Sequence, residues 1–267
     1  MEKVQGEMMT GTIDAVYTIW LREIKRFLKS KSRIVGSGGQ PLIWLAIVGI
    51  GLGSAFALKV NGSVPYLTFV SAGLIGMTIL FSSIFAGVSV IWDRQFGFLK
   101  EILVAPVSRL SIVLGKIAGS STIAVMTSLL ILAVVIIFGI IPLGSLSVLG
   151  IVELLVFMLL ASATFVAMGL IIAALINNIE SFQVLINFLV MPLFFLSGAL
   201  FPISGALPIW LDALSHIDPL FYAIDGMRAS LIHFSTYPIM VDMIVTIFCA
   251  IIFIGMATVL FKRIEGK

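Results

Sequence analysis

Histidine and cysteine are nearly missing from this chain, and charge is scarce. Two histidines and one cysteine are present, and only 11% of the residues are Asp, Glu, Lys or Arg. A single cysteine, Cys249 within an apolar run, excludes an intrachain disulfide framework and a cysteine-based metal site. His216 and His233 stand in no HExxH or paired Cys/His spacing, which argues against a metal centre. Neither lies in a long apolar run, so an intramembrane serine protease with a histidine base is also disfavoured. Gly115-Lys116 is followed by Ile117 and lacks the earlier glycine of a Walker loop, so no nucleotide site is expected within this sequence.

Apolar residues make up 60% of the 267 positions, a composition outside the range of ordinary soluble domains. The apolar runs are continuous rather than alternating, so they predict helices and not a barrel. The fold class is therefore an all-α polytopic membrane protein, read as one transmembrane domain over residues 1–267. Six spans are expected, within residues 34–58, 65–91, 117–141, 150–176, 182–201 and 242–261. Pro41 is expected near the first turn of span one, where its missing N–H is harmless. No cleavable signal is expected at the start, since Glu2 and Glu7 interrupt any apolar core there.

Ahead of the first span, residues 12–33 read as an amphipathic helix lying in the membrane surface. Ile13, Val16, Tyr17, Trp20, Leu21, Ile24, Phe27 and Leu28 share one side, and Arg22, Lys25, Arg26 and Lys29 the other. Tyr17 and Trp20 suit the interfacial layer, and the basic face suits anionic head groups.

A charged island at residues 92–116 separates two charge-free flanks, 60–92 and 117–152, and is expected to sit in water. Phe98, Leu99, Ile102 and Leu103 recur at helical spacing, opposite Arg94, Lys100 and Glu101. Pro106 ends that short helix, and Ser108 can cap the next one as the chain re-enters the membrane. Asp93, Arg94, Gly97, Glu101, Leu103, Pro106, Val107, Ser108 and Arg109, followed by Leu114-Gly115-Lys116, form a pattern that resembles the membrane subunit of type-2 ATP-binding-cassette exporters. In that family the loop is a coupling helix that docks on a separate ATPase. The resemblance assigns ATPase coupling to Arg94, Gly97, Phe98, Leu99, Lys100, Glu101, Ile102, Leu103, Pro106 and Arg109.

Residues 202–240 have a second unusual texture, apolar but broken by Pro202, Gly205, Pro208, Pro219 and Pro238. Irregular backbone at membrane depth survives only where protein or water shields it, so short re-entrant helices are expected, with Trp210 and Tyr222 near the interface. Asp225 and Arg228, three apart, can pair on one helix face. Glu153 and Asp242 fall near span ends and read as interfacial carboxylates. The runs Pro192 to Pro202, Leu207-Pro208 and Asp218 to Arg228 also resemble the late segment of type-2 exporters. No large external domain stands between spans one and two, so the resemblance is to the compact bacterial and archaeal half-transporters. Pro202, Pro208, Pro219, Tyr222, Asp225 and Arg228 then stand at an external gate.

Basic residues set the orientation. Fourteen lie on the side of the termini and the island, and only Lys59 and Arg228 on the other. The positive-inside rule places both termini and residues 92–116 in the cytoplasm of a plasma-membrane protein. The resemblance implies a non-enzymatic permease that moves a lipophilic or amphipathic substrate outward, such as a drug, a lipid or a lipid-linked glycan. It implies no cofactor in this chain, with ATP and Mg on two copies of a cytoplasmic ABC ATPase. It also implies a second membrane subunit, taken as an identical copy, and a bilayer setting with no nucleic acid partner. An ion-gradient transporter or channel is the alternative, opposed by the scarcity of mid-span charge and the lack of evident inverted repeats. A non-transporting scaffold is a third reading.

Overall fold

The computed structural model describes residues 2–52, 59–60, 64–96, 108–142, 144, 146–203 and 208–261. Helix α1 (Glu2–Lys29) is followed by α2 (Lys31–Trp44), which continues as π-helix through Leu45–Leu52. Pro41 therefore sits inside a helix and not in its first turn, because α2 begins ten residues earlier, at Lys31. Proline removes one ladder donor, and the π-helical stretch begins within the next turn. A minimal antiparallel ladder pairs β1 (Lys59–Val60) with β2 (Val64–Pro65).

The remaining helices are α3 (Tyr66–Ile84), α4 (Ala86–Gln95), α5 (Arg109–Ile137), α6 (Val148–Leu175) and α7 (Ile179–Leu196), then α8 (Ile209–Ser215), α9 (Pro219–Ile232) and α10 (Ile239–Phe261). Five segments among the described residues are long and apolar enough to cross a membrane: α3 with α4, α5, α6, α7 and α10. Where span one was expected, the apolar helix is the shorter Gly39–Gly49.

Caps explain several boundaries. The Ser108 hydroxyl accepts the Ser111 N–H at 3.1 Å, Ser147 accepts from Gly150 at 2.9 Å, and Asn178 accepts from Ser181 at 2.8 Å. Asp218 accepts the Leu220 N–H at 2.9 Å, with Pro219 at the first helical position of α9. That helix ends where His233 turns left-handed at φ 53°.

Helix α3 is the centre of the bundle. Phe69, Val70, Ala72, Leu74, Ile75, Ile79 and Leu80 are all fully buried, and α3 packs on α5, α6 and α9. The approach of α3 and α4 to α6 is close enough to need glycine on both sides. A Cβ on Gly87 would meet the Gly169 carbonyl, and one on Gly169 would meet the Ile84 carbonyl. By contrast α7 and α10 leave Val184, Phe188, Ile244, Phe248 and Ile251 exposed, an apolar surface suited to lipid or to another membrane helix.

Candidate functional site: a buried ionic junction and a short-helix hairpin

Helix α1 packs along α5, and at their junction with α4 five charged groups meet. Lys116 is 1% exposed, and its Nζ donates to Asp93 Oδ2 at 2.8 Å, to Glu23 Oε1 at 3.3 Å and to Ser89 Oγ at 3.3 Å. Arg22 reaches the same Asp93 oxygen at 2.9 Å and Glu23 at 3.4 Å, while Arg26 lies 3.5 Å from the other Asp93 oxygen and over the Trp92 ring. Three cations thus surround two buried carboxylates.

This geometry corrects two expectations. Asp93 and Lys116 are buried at the ends of α4 and α5 and not in water, since each neutralises the other and both helices run further than the charge-free stretches. The basic face of α1 divides as well. Lys25 and Lys29 are exposed, whereas Arg22 and Arg26 turn onto Asp93 instead of toward head groups. Tyr17 is exposed and stacks on Trp20 at 5.6 Å, and the Trp20 indole N–H donates to Thr122 Oγ1 of α5 at 3.1 Å.

Arg94, next to Asp93, points elsewhere. Its guanidinium donates to the carbonyls of Ala173 and Ile176 at 3.1 and 3.2 Å, and to Asn177 Oδ1 at 2.7 Å. It therefore closes the C-terminus of α6, where free carbonyls and the helix dipole favour a cation. Arg109 is the first residue of α5, directly after the Ser108 cap. Gly97, Phe98, Leu99, Lys100, Glu101, Ile102, Leu103 and Pro106 lie outside the described residues.

Two cavities adjoin the junction. One of about 410 Å³ is bounded by α1, α2, α3, α4, α5 and α7, with Phe27, Met77, Phe81 and Phe85 among its apolar walls and Glu23, Gln40, Thr78 and Gln183 among its polar groups. The other, about 280 Å³, is lined by Arg22, Arg26, Trp92, Asp93 and Phe96. Trp92 belongs to both.

Between α7 and α10, the short helices α8 and α9 occupy the segment expected to be re-entrant. Pro202 follows α7 and is partly buried, Pro208 precedes α8, and Pro219 opens α9. Arg228 is buried, donates to the Gly198 carbonyl at 3.0 Å and stacks 3.8 Å from the Phe69 ring centre. Its second partner is Asp225, at 3.8 Å, so the expected pair forms. Asp225 Oδ2 also accepts the N–H groups of Thr236 and Tyr237 at 2.7 and 2.9 Å, which ties α9 to the turn before α10. Tyr222 donates to the His216 carbonyl at 3.0 Å, and the His216 ring meets the Tyr237 hydroxyl at 2.7 Å. Trp210 is exposed and Tyr222 partly buried. Burial pushes the Asp218 carboxyl up to about 8 and the Arg228 guanidinium down to about 10, the latter opposed by Asp225. Asp242, expected at the interface, is fully buried at the first turn of α10, a helix that packs on α6 and α9. Among the described residues, no group of three or more His, Cys, Asp or Glu could hold a metal ion.

Glu23 and Ser89 did not stand out in the sequence, since Glu23 sits in a basic run and Ser89 in an apolar one. A bundle of long apolar helices, fastened at one end by buried ion pairs, is the architecture of a polytopic membrane protein. Residues 14–232 match the family model described as ABC-2 type transporter, and the chain belongs to that family. It is 32% identical over 190 residues to ycf38 of Porphyra purpurea, named as a transport permease, covering 71% of this chain and 64% of that one. The chain thus spans just under two thirds of that relative's length. Nodulation protein J of Sinorhizobium fredii is 26% identical over 219 residues, 80% of each chain. Inner membrane transport permease YadH of Escherichia coli K12 is 24% identical over 228 residues, 84% of this chain and 86% of that one. The family and the long apolar helices make this chain a multi-pass membrane protein of the ABC-2 type transporter family.

Proposed function

We propose that this chain is the membrane subunit of an ATP-driven exporter, working as a dimer with two cytoplasmic ATPase copies and moving a lipophilic or amphipathic substrate outward. The observation that carries this reading is the 2.8 Å contact between Asp93 and Lys116. These two residues flank the segment proposed to dock on the ATPase, and both are fastened to α1 through Glu23 and Arg22. Arg94 extends the connection to the end of α6. A displacement of residues 97–107 is thereby delivered to α1, α4, α5 and α6 as a unit, as coupling through packed elements requires. The mainly apolar 410 Å³ cavity with a few amides and hydroxyls suits a lipophilic or amphipathic cargo. The exposed apolar faces of α7 and α10 suit lipid and a second membrane subunit. On this reading the Gly39–Gly49 helix adds a first span to the five long apolar segments, both termini and the ionic junction face the cytoplasm of a plasma-membrane protein and the hairpin lies at its external gate; the excess of basic residues on the side of the termini supports that orientation.

The test is gentle detergent purification of a tagged chain, with mass spectrometry of co-eluting proteins and an ATPase assay. A Walker-containing partner whose activity is uncoupled from transport by Leu103→Asp or Glu101→Lys is the expected result. A chain that repeatedly elutes alone as a folded oligomer, and that transports on an ion gradient without ATP, refutes the reading.

A further inference from the structure

Asp242 is the one charged-type side chain among the described residues that is 0% exposed, and neither of its carboxylate oxygens has a hydrogen-bond partner. It forms no ion pair with any described residue. The nearby Thr246 hydroxyl donates to the backbone carbonyl of Asp242 and not to its side chain. Its helix, α10, packs on α6, α9 and α5. From α6 the only titratable group is Glu153, partly exposed one turn into that helix. The described charges of α5, Arg109 and Lys116, lie in its first three turns, the end remote from the hairpin. From α9 and its flanks come Asp218, Tyr222, Asp225, Arg228, His216, His233 and Tyr237, and Cys249 is on α10 itself. Arg228, the cation of that set, is engaged by Asp225 and the Gly198 carbonyl. Asp225 faces Arg228 at 3.8 Å and accepts the N–H groups of Thr236 and Tyr237, so the donors of this end are already taken up. A second negative charge at Asp242 would have neither water nor donor nor cation to stabilise it.

We infer that Asp242 is a proton-binding site, and that the proton it holds keeps α9 and α10 packed in the closed external gate. The gating part rests on the exporter reading, whereas the proton site does not. Opening that wets the first turn of α10 lets Asp242 ionise beside Asp225 and repel it. The closed form binds the proton and the open form releases it, so acid favours closure. The open-to-closed ratio rises by up to about tenfold per pH unit as the proton is lost.

The experiment is infrared spectroscopy of the full chain reconstituted in lipid bilayers, titrated from acid to alkaline pH, a readout that needs neither ATPase nor substrate. The carbonyl stretch of a protonated carboxylic acid is expected at neutral pH, lost on alkalinisation, and diminished in Asp242→Asn but retained in Glu153→Gln. Asp218, the other buried carboxyl with an oxygen lacking a partner, is controlled by Asp218→Asn. An unchanged neutral-pH band in Asp242→Asn, or one removed wholly by Asp218→Asn, overturns the site. Asp242→Leu is expected to fold too, because the site holds no donor for a charge; misfolding of both Asp242 variants would show that ionised Asp242 is required and overturn the inference. Gating is read from maleimide labelling of Thr236→Cys in a Cys249→Ser background. As a ratio to the same protein carrying Asp242→Asn, which cancels thiol ionisation, labelling is expected to rise with pH by up to about tenfold per unit. A flat ratio beside a confirmed infrared band removes the gate and leaves the proton site. A confirmed band and rising ratio in a chain without an ATPase partner would count against the exporter reading alone.

Discussion

Lys116→Met tests whether the ionic junction holds α1 on the bundle. Methionine keeps much of the lysine stem, so packing changes little and the loss is chiefly that of the cation. Glu23 and Asp93, with side chains 6% and 5% exposed, are left without their only fully buried partner. Removing one member of a buried pair costs about 3–5 kcal/mol, because the other charge remains desolvated. Here Arg22 and Arg26 still reach Asp93, but their side chains are 37% and 35% exposed and partly solvated, and among the described residues Glu23 keeps only Arg22 at 3.4 Å. The lower end of the range, about 3 kcal/mol, is therefore expected. For a chain of this size that corresponds to a fall in unfolding midpoint of roughly 6–12 °C. The lone Cys249, partly buried, supplies a built-in reporter for thiol-reactive dye unfolding in detergent. Glu23→Gln closes the cycle: if the contact exists, the double variant is more stable than the sum of the singles predicts, by about 1 kcal/mol or more. Additive effects, or a Lys116→Met midpoint within a degree or so of the parent, would refute the junction.

Three further outcomes follow from other contacts. Arg94→Ala removes a charged donor from two carbonyls and one amide at the end of α6, and a loss of about 1.5–3 kcal/mol is expected, read as faster amide exchange over residues 173–178. Exchange unchanged there would mean the cap contributes nothing. Gly169→Val drives a side chain into the Ile84 carbonyl and is expected to cost about 1–3 kcal/mol or more, seen as reduced folded yield on size-exclusion, whereas Gly144→Val, with open space around it, leaves yield unchanged. Asp218→Asn keeps an acceptor for the Leu220 N–H while removing the proton; because burial raises this carboxyl, the stability it lends below about pH 4 is lost as pH rises toward 8, and the Asn variant flattens that part of the unfolding profile.

The family pattern was legible because it lies in unusual places, a charged island between apolar runs and a proline-broken apolar tail. The Ser108 cap could be read directly, since a hydroxyl three residues before a free N–H is a local device. Asp93 and Lys116 were visible as parts of the pattern but not as partners. Twenty-three residues apart, each looks like a marker of water until the fold brings the two within 2.8 Å.

The sequence by itself determined the solvent of this protein and the order of its elements, because hydropathy and helical spacing act within one run of residues. Only the tertiary structure decided which charges are exposed. Arg22 left the head-group face for Asp93, Lys116 entered the bundle, and Asp242 went from a presumed interfacial carboxylate to a fully buried one. Burial of a charge is a property of what packs against it, and those partners come from helices distant in the chain.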